Sequence, residues 1–314
     1  MGLIAELTLP FFAVVGLGYL TARLGWLPAN GVRAINVFVF NFAMPALVIN
    51  ALARQAPQDL LDASLFAGWL TAALGLYAVS FVLARTVLRD GRAAAALFAQ
   101  AASIGNLGFL ALPLLIVALG ERVAVPFSVV LIVDLVIVIP LSIAIVESAS
   151  ASAGFGSALG KALRGAVANP FFLAIAAACA LAFSGIGVPG PASRFVEFLA
   201  GAAGPAALFS LGATLAARTL GAQAVPIALA SVIKLAVHPV LIWFALGWLE
   251  VDAFTRGAAT VMAAMPIAGN VFVIAESYGT TVQRLSAAIV VSTIIAVVTV
   301  ALALEWTGLS VQTP

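Results

Sequence analysis

Apolar runs of about 20 residues follow one another along nearly the whole chain, separated only by short polar stretches, and a run of that length matches the hydrocarbon core of a bilayer crossed as a helix. An open strand in the same place would leave backbone N–H and C=O groups unsatisfied in lipid. Barrel strands are shorter and alternate apolar with polar residues, which these runs do not. The composition agrees: 64% of residues are hydrophobic, 8% are charged and the mean hydropathy is +1.21, where a soluble domain carries roughly 25% charge. The pattern predicts spans over roughly 4–22, 33–53, 64–84, 95–118, 124–146, 166–184, 195–216, 225–247, 256–276 and 285–305. An all-α polytopic membrane protein of ten transmembrane helices is expected, with no room for a separate soluble domain.

The helix-breaking residues repeat. "LPFFAVVGLGYL" from Leu9 returns as "NPFFLAIAAACAL" from Asn169, which superposes Pro10, Phe11 and Phe12 on Pro170, Phe171 and Phe172 at an offset of about 160. At the same offset Pro45 falls on Pro205, and with a small slip Gly105-Asn106 falls on Gly269-Asn270. Gly/Pro-interrupted hydrophobic segments at corresponding positions of two halves point to a secondary transporter whose site lies where the broken helices meet. The expected units are a first five-helix repeat over 1–146, a small-residue linker over 147–165 that reads as flexible, and a second five-helix repeat over 166–314. Five spans is an odd number, so the second repeat enters from the opposite face and is inverted.

Basic residues set the orientation. One side of the expected topology collects Arg23, Arg33, Arg85, Arg89, Arg92, Lys161, Arg164, Arg218 and Arg284, the other only Arg54, Arg122, Arg194 and Arg256. The positive-inside rule then places the linker in the cytoplasm and both termini outside. The net charge of +2 and the pI near 9.0 come from few residues, so they report topology and give no reason to expect a nucleic-acid partner. Glu6 precedes the first apolar run without a basic region, which reads as a first span and not a signal peptide. Trp26, Trp69, Trp248 and Trp306 fall near span ends and are expected in the headgroup belts. The single cysteine, Cys179, reads as inert packing in an apolar run.

Candidate functional groups are the breaks and the deep charges. A Gly-Asn pair or a proline inside a span frees backbone groups, which are tolerated only where protein or an aqueous cavity satisfies them. Asn106 and Asn270 are candidates to cap half-helices or to touch a ligand, and the positive N-terminal ends of half-helices favour a carboxylate. Pro45 and Pro205 read as kink residues, and Asn41 is placed to reach a central cavity. Asp134 lies in "VVLIVDLVIVIP", and Lys234 and His238 are four apart on one helix face. An ionisable group at that depth costs a few kcal/mol by insertion scales and is a functional candidate by default. Two readings stay open: an Asp134–Lys234 ion pair that pins two helices, or a transport role, with Lys234 countering substrate charge or Asp134 cycling a proton or sodium ion. His238, the one histidine, is either a packing residue or a titrating one. Glu276 reads as solvated at a helix end.

Four segments, "NFAMPALVINALA", "GNLGFLALPLL", "KLAVHPVLIW" and "AAMPIAGNVFVIAESYG", resemble the bacterial branch of the auxin efflux carrier family, relatives of the plant PIN carriers. The resemblance covers essentially the whole chain. It implies ten helices in two inverted repeats, like those of sodium/proton antiporters and bile-acid transporters, with a scaffold of helices 1, 2, 6 and 7 and a transport domain of helices 3–5 and 8–10. It also implies an anionic substrate beside the crossing of broken helices 4 and 9, and a homodimer. Asn106 to Pro113 matches the family's first break, which would stand Pro113 at the crossover. At the second break the plant members carry proline where this chain has Val271, so Pro266 and Gly269-Asn270 are expected to make it.

The expected function is secondary transport, with export favoured, of a small organic anion such as a mono- or dicarboxylate across the bacterial cytoplasmic membrane, by an elevator-like movement. No cofactor or metal is expected beyond coupling to H+ or Na+. An inorganic cation/proton antiporter is the alternative, although such exchangers usually use two carboxylates near the crossing and this chain offers one. A channel would also use broken helices. A membrane enzyme lacks a nucleophile with a base or a metal cluster, and a sensor would need a signalling domain.

Overall fold

The computed structural model describes residues 2–56, 60, 62–149, 154–186, 188, 190–218 and 223–309, with side-chain surroundings from residue 9 onward. It is all-helical: among the described residues there is no strand, only an isolated antiparallel bridge between Gly105 and Ile267. In chain order the helices are α1 (Gly2–Arg23), α2 (Ala29–Phe38), α3 (Met44–Leu52), α4 (Ala63–Thr86), α5 (Arg92–Ser103), α6 (Leu112–Leu119), α7 (Ala124–Val133) and α8 (Ile139–Ala149). They continue with α9 (Phe155–Val167), α10 (Pro170–Ser184), α11 (Gly190–Ala216), α12 (Ala224–Val232), α13 (His238–Trp248), α14 (Ala253–Ala263), α15 (Asn270–Ser277) and α16 (Val282–Thr307). Each interval read as a span is helical over most of its length. Among the described residues six helices are long and apolar enough to cross a membrane, Ala29–Leu52, Ala63–Thr86, Glu121–Ala149, Gly190–Ala216, Ala224–Trp248 and Val282–Thr307, or up to seven if the α9–α10 pair, bent by 57°, is one span.

Proline accounts for the segmentation. Four π-helical turns, Val39–Ala43, Leu107–Ala111, Asp134–Val138 and Ile233–Val237, are each followed two residues later by a proline: Pro45, Pro113, Pro140 and Pro239. A proline has no N–H to give the carbonyl four residues back and its ring clashes with it, and a wider π turn ahead of the ring relieves both problems without ending the helix. Three of these turns therefore join α2 to α3, α7 to α8 and α12 to α13 as continuous spans. Pro10 and Pro205, paired with Pro170 and Pro45 by the sequence repeat, lie instead inside α1 and α11. Pro170 opens α10, where Asn169 caps by accepting from the Phe171 N–H at 2.9 Å.

Glycines allow α1 and α11 to touch backbone to backbone. A Cβ at Gly212 would stand 1.8 Å from the Val15 carbonyl oxygen, and one at Gly18 would stand 2.0 Å from that of Phe209. Small residues at such contacts are how helices associate in lipid, where apolar side chains gain little by leaving the solvent. α3 packs on α10 and α11, α5 on α4 and α8, and α13 on α4 and α14. The stretch 147–165 departs from the expected flexible linker: α8 runs to Ala149 and α9 begins at Phe155, while 150–153 lie outside the described residues. Small residues there hide a helical repeat, since buried Ala158 and Ala166 lie eight apart on one face and Lys161 and Arg164 point elsewhere.

Candidate substrate site at the helix crossing

The two breaks singled out in the sequence meet. The chain leaves α5 at Ser103 and resumes helical turns at Leu107, and it leaves α14 at Ala263 and resumes at Asn270. Between these ends the extended pieces pair: the Asn106 N–H donates to the Pro266 carbonyl at 2.8 Å and the Ala268 N–H to the Ile104 carbonyl at 3.3 Å. The Ile267 N–H donates to Ser292 Oγ at 3.2 Å. Groups freed by the breaks are thus satisfied within the protein, as low-dielectric burial requires. Asn106 caps the turn that follows, its side chain accepting from the Phe109 N–H at 3.2 Å. Asn270 does not cap; it begins α15, and its side-chain oxygen is approached by Gln100 Nε2 at 3.5 Å.

Behind the crossing is a buried polar cluster. Lys234, in the π turn before Pro239, is fully buried, and its ammonium donates to the Ala263 carbonyl at the end of α14 and to His238 Nδ1 at 3.0 Å. The ammonium has only donors and meets the carbonyl pole of a half-helix, a favourable arrangement for a cation. A Cβ at Gly105 would stand 3.1 Å from Lys234 Nζ and 3.2 Å from the Met262 carbonyl oxygen, so a glycine lets the crossing close on the lysine. The His238 ring lies 5.3 Å from that of Trp69, whose indole N–H donates to Asp134 Oδ1 at 3.0 Å.

Three expectations change here. Asp134 and Lys234 form no direct ion pair among the described residues: Trp69 holds one carboxylate oxygen, the other is buried without a hydrogen bond, and the lysine turns to backbone and histidine. Their charges interact only across a gap. Trp69 is not a belt residue; it is 1% exposed and its N–H meets the buried carboxylate, whereas Trp26, Trp248 and Trp306 are exposed. Pro113 is not at the crossover, which runs through 104–106; it begins α6 after a π turn, buried near Gly204 of α11.

In front of the crossing lies a cavity of about 590 Å³, a size suited to a small molecule. Of the residues singled out, Asn41, Gly105, Asn106, Asp134, Gly269 and Asn270 line it, while Pro113, Lys234, His238 and Pro266 do not. Asn41 also donates to the Val37 carbonyl at 3.0 Å. The breaks thus face the cavity and the lysine stands behind them. Arg33, Asn36, Asn169, Thr214 and Arg218 also line it, and the sequence reading missed all five as site residues. Asn36 Nδ2 donates to Thr214 Oγ1 at 3.1 Å.

Arg218, just beyond α11, lies with its guanidinium carbon 3.4 Å from the centroid of the Phe272 ring in the first turn of α15. Burial, partly offset by Glu276, lowers its pKa to about 10, which still leaves it a cation at neutral pH. Arg33 and Arg218 were read from sequence only as topology markers, since each stands at a span end, and nothing in their neighbours marks a side chain that turns inward.

The model of the family described as "Membrane transport protein" matches residues 3–304. A protein of Rhizobium meliloti (strain 1021) named "Putative malonate transporter" is 34% identical over 305 residues, 96% of this chain and 94% of that protein. "Uncharacterized transporter YfdV" of Escherichia coli (strain K12) is 27% identical over 212 residues, 67% of this chain and 68% of that one. With a family match along almost its whole length and paired broken helices at its centre, the chain belongs to the membrane transport protein family, the auxin efflux carriers that its four segments resemble.

Proposed function

We propose that this protein is a secondary carrier for a small organic anion, a mono- or dicarboxylate, in the bacterial cytoplasmic membrane. The observation that carries the reading is the cavity at the paired breaks, lined by Asn106, Asn270 and two arginines. The walls are mostly apolar, and the few convergent polar groups give an anion its contacts. The name of the Rhizobium meliloti relative makes malonate the first acid to test.

The proposed architecture is ten crossings in two inverted five-helix repeats, 1–146 and 166–314. Helices 1, 2, 6 and 7 form a scaffold, against which helices 3–5 and 8–10 move as an elevator. Support comes from the pairing of α1 with α11 and of α3 with α10 and α11, set against the packing of α4, α5, α8, α13 and α14 among themselves. Binding must shift the balance between inward- and outward-open states by differential affinity. The basic-residue bias puts the cytoplasm on the side of Arg33 and Arg218, with both termini outside, and the family resemblance makes the carrier a homodimer. Coupling to H+ is the reading that Asp134 supports, because this buried carboxylate lines the cavity and has one oxygen without a hydrogen bond.

Uptake of radiolabelled malonate into proteoliposomes tests the proposal. Saturable uptake that responds to an imposed pH gradient is expected, and competition by unlabelled acids ranks the substrates. A large unsaturating conductance would indicate a channel. Asp134 in the cavity also favours the second reading, an inorganic cation/proton antiporter; sodium- or potassium-driven proton movement with no response to organic acids would replace the first reading by that one.

A further inference from the structure

We propose that Arg218 is a substrate-binding residue that anchors one carboxylate, with Arg33 as the second cation, so that the cavity selects dianions over monoanions; this rests on the organic-anion reading above. Arg218 lines the cavity, and its Nη1 is buried with no hydrogen-bond partner. A guanidinium has five N–H donors in a planar fork, and a buried donor left unmade is costly unless a ligand completes it. A carboxylate entering the cavity supplies two acceptors in the matching plane.

The position of the fork is set before substrate arrives. Phe272 holds the guanidinium face at 3.4 Å, and Phe272 lies two residues after Asn270, which itself lines the cavity at the start of α15. Stacking leaves the edge of the guanidinium, where the N–H groups are, free to meet a ligand. Glu276, the acidic residue that acts on Arg218 through space, is exposed, does not line the cavity and forms no ion pair with it among the described residues.

The charged residues that line the cavity are Arg33, Asp134 and Arg218. A dianion that enters with a proton on Asp134 balances the charge of the two arginines. A monoanion of the same size can satisfy one of them only. Lys234 is not part of this balance, because it lies behind the crossing and donates to Ala263 and His238.

The test uses full-length protein in lipid nanodiscs, with malonate, monomethyl malonate, acetate and indole-3-acetate as probes, and Kd and thermal melting as readouts. Wild type is expected to bind malonate at least tenfold more tightly than its monomethyl ester. Arg218→Gln is expected to weaken malonate at least tenfold and to remove that preference. Arg218→Lys, a point charge without the fork, is expected to weaken malonate severalfold with melting unchanged in the absence of ligand. Arg33→Gln is expected to weaken malonate severalfold and the monoester little. If Arg218→Gln does not fold, the lysine and Arg33 variants decide. Wild-type malonate affinity in the Arg218 variants overturns the assignment. Equal binding of malonate and monoester, or binding of acetate or indole-3-acetate without malonate, overturns the dianion selectivity and leaves the carrier reading in place. Failure of wild type to bind any of the four acids overturns both.

Discussion

The two faces of the crossing are built from similar residue types and do different work. Behind it, Lys234, His238, Trp69 and Asp134 Oδ1 are packed into a fully buried chain in which the lysine closes on a half-helix carbonyl and the indole on a carboxylate. In front of it, Arg218, Arg33 and Asp134 line a cavity, and Arg218 Nη1 and Asp134 Oδ2 have no hydrogen-bond partner among the described residues. Depth within an apolar run therefore does not identify which cation lines the cavity. The buried lysine is tied to backbone and histidine, whereas Arg218, just beyond a helix end, keeps a donor without a partner. Asp134 belongs to both, since it lines the cavity and accepts from Trp69.

The largest effect is expected where the two faces are held together. Gly105→Leu drives a side chain into space already filled by Lys234 Nζ and the Met262 carbonyl, both within 3.2 Å of where its Cβ would stand. Forced overpacking of a rigid site costs about 1–3 kcal/mol or more, and here it also separates the paired breaks. Melting temperature and malonate binding should fall together, and a variant that melts like wild type would show that the crossing does not need the close approach.

Next in size is the link between the faces. Trp69→Phe removes the donor to Asp134 Oδ1 and leaves a buried carboxylate with neither oxygen bonded, a loss of roughly 1–3 kcal/mol. Asp134→Asn in the same background should recover part of it, because an uncharged amide is cheaper to bury unpaired. Chemical denaturation of the two single variants and the double variant gives the coupling energy directly. Strict additivity would mean that the indole and the carboxylate do not sense each other.

Much of the fold was legible in the sequence, because its causes are local. The positions of the helices follow from the apolar runs, and the two breaks follow from Gly105-Asn106 and Pro266 with Gly269-Asn270. The site was legible only in part. Asn41, Asn106, Asp134 and Asn270 were found because a polar residue within an apolar run stands out, but the run does not say which way Lys234 points. Trp69 looked like a headgroup anchor because distance to a span end is visible in sequence and its hydrogen-bond partner, 65 residues away, is not. The same blindness hid Arg218. Pro113 was placed at the crossover by family pattern, whereas its own chemistry, a ring that begins α6 behind a π turn, belongs to helix continuity.

Substrate binding should also move protons. An anion that enters beside Asp134 raises the free energy of the ionised carboxylate more than that of the neutral acid, so binding favours proton uptake. With weakly buffered protein and an indicator dye, malonate is expected to draw up to about one proton per site at a pH where malonate itself stays doubly ionised. Asp134→Asn should bind malonate without that uptake and keep its fold. Equal uptake in the two proteins would place the coupling group elsewhere.

The smallest expected difference separates the two asparagines that the repeat makes equivalent. Asn106 accepts from the Phe109 N–H and caps the turn that follows the first break, so Asn106→Ala should cost about 1 kcal/mol in stability, the usual worth of such a cap. Asn270 has no capping bond, and its contact from Gln100 is long at 3.5 Å, so Asn270→Ala should stay within about 0.5 kcal/mol of wild type. Both line the cavity, and a lost ligand contact would weaken malonate binding severalfold in each variant, with the Asn270 effect almost free of any change in melting. Normal malonate affinity in Asn270→Ala would leave the second break as scaffolding and confine recognition to the first break and the arginines. Equal destabilisation by the two variants would mean that a capping role at the second break forms in a state of the carrier other than this one.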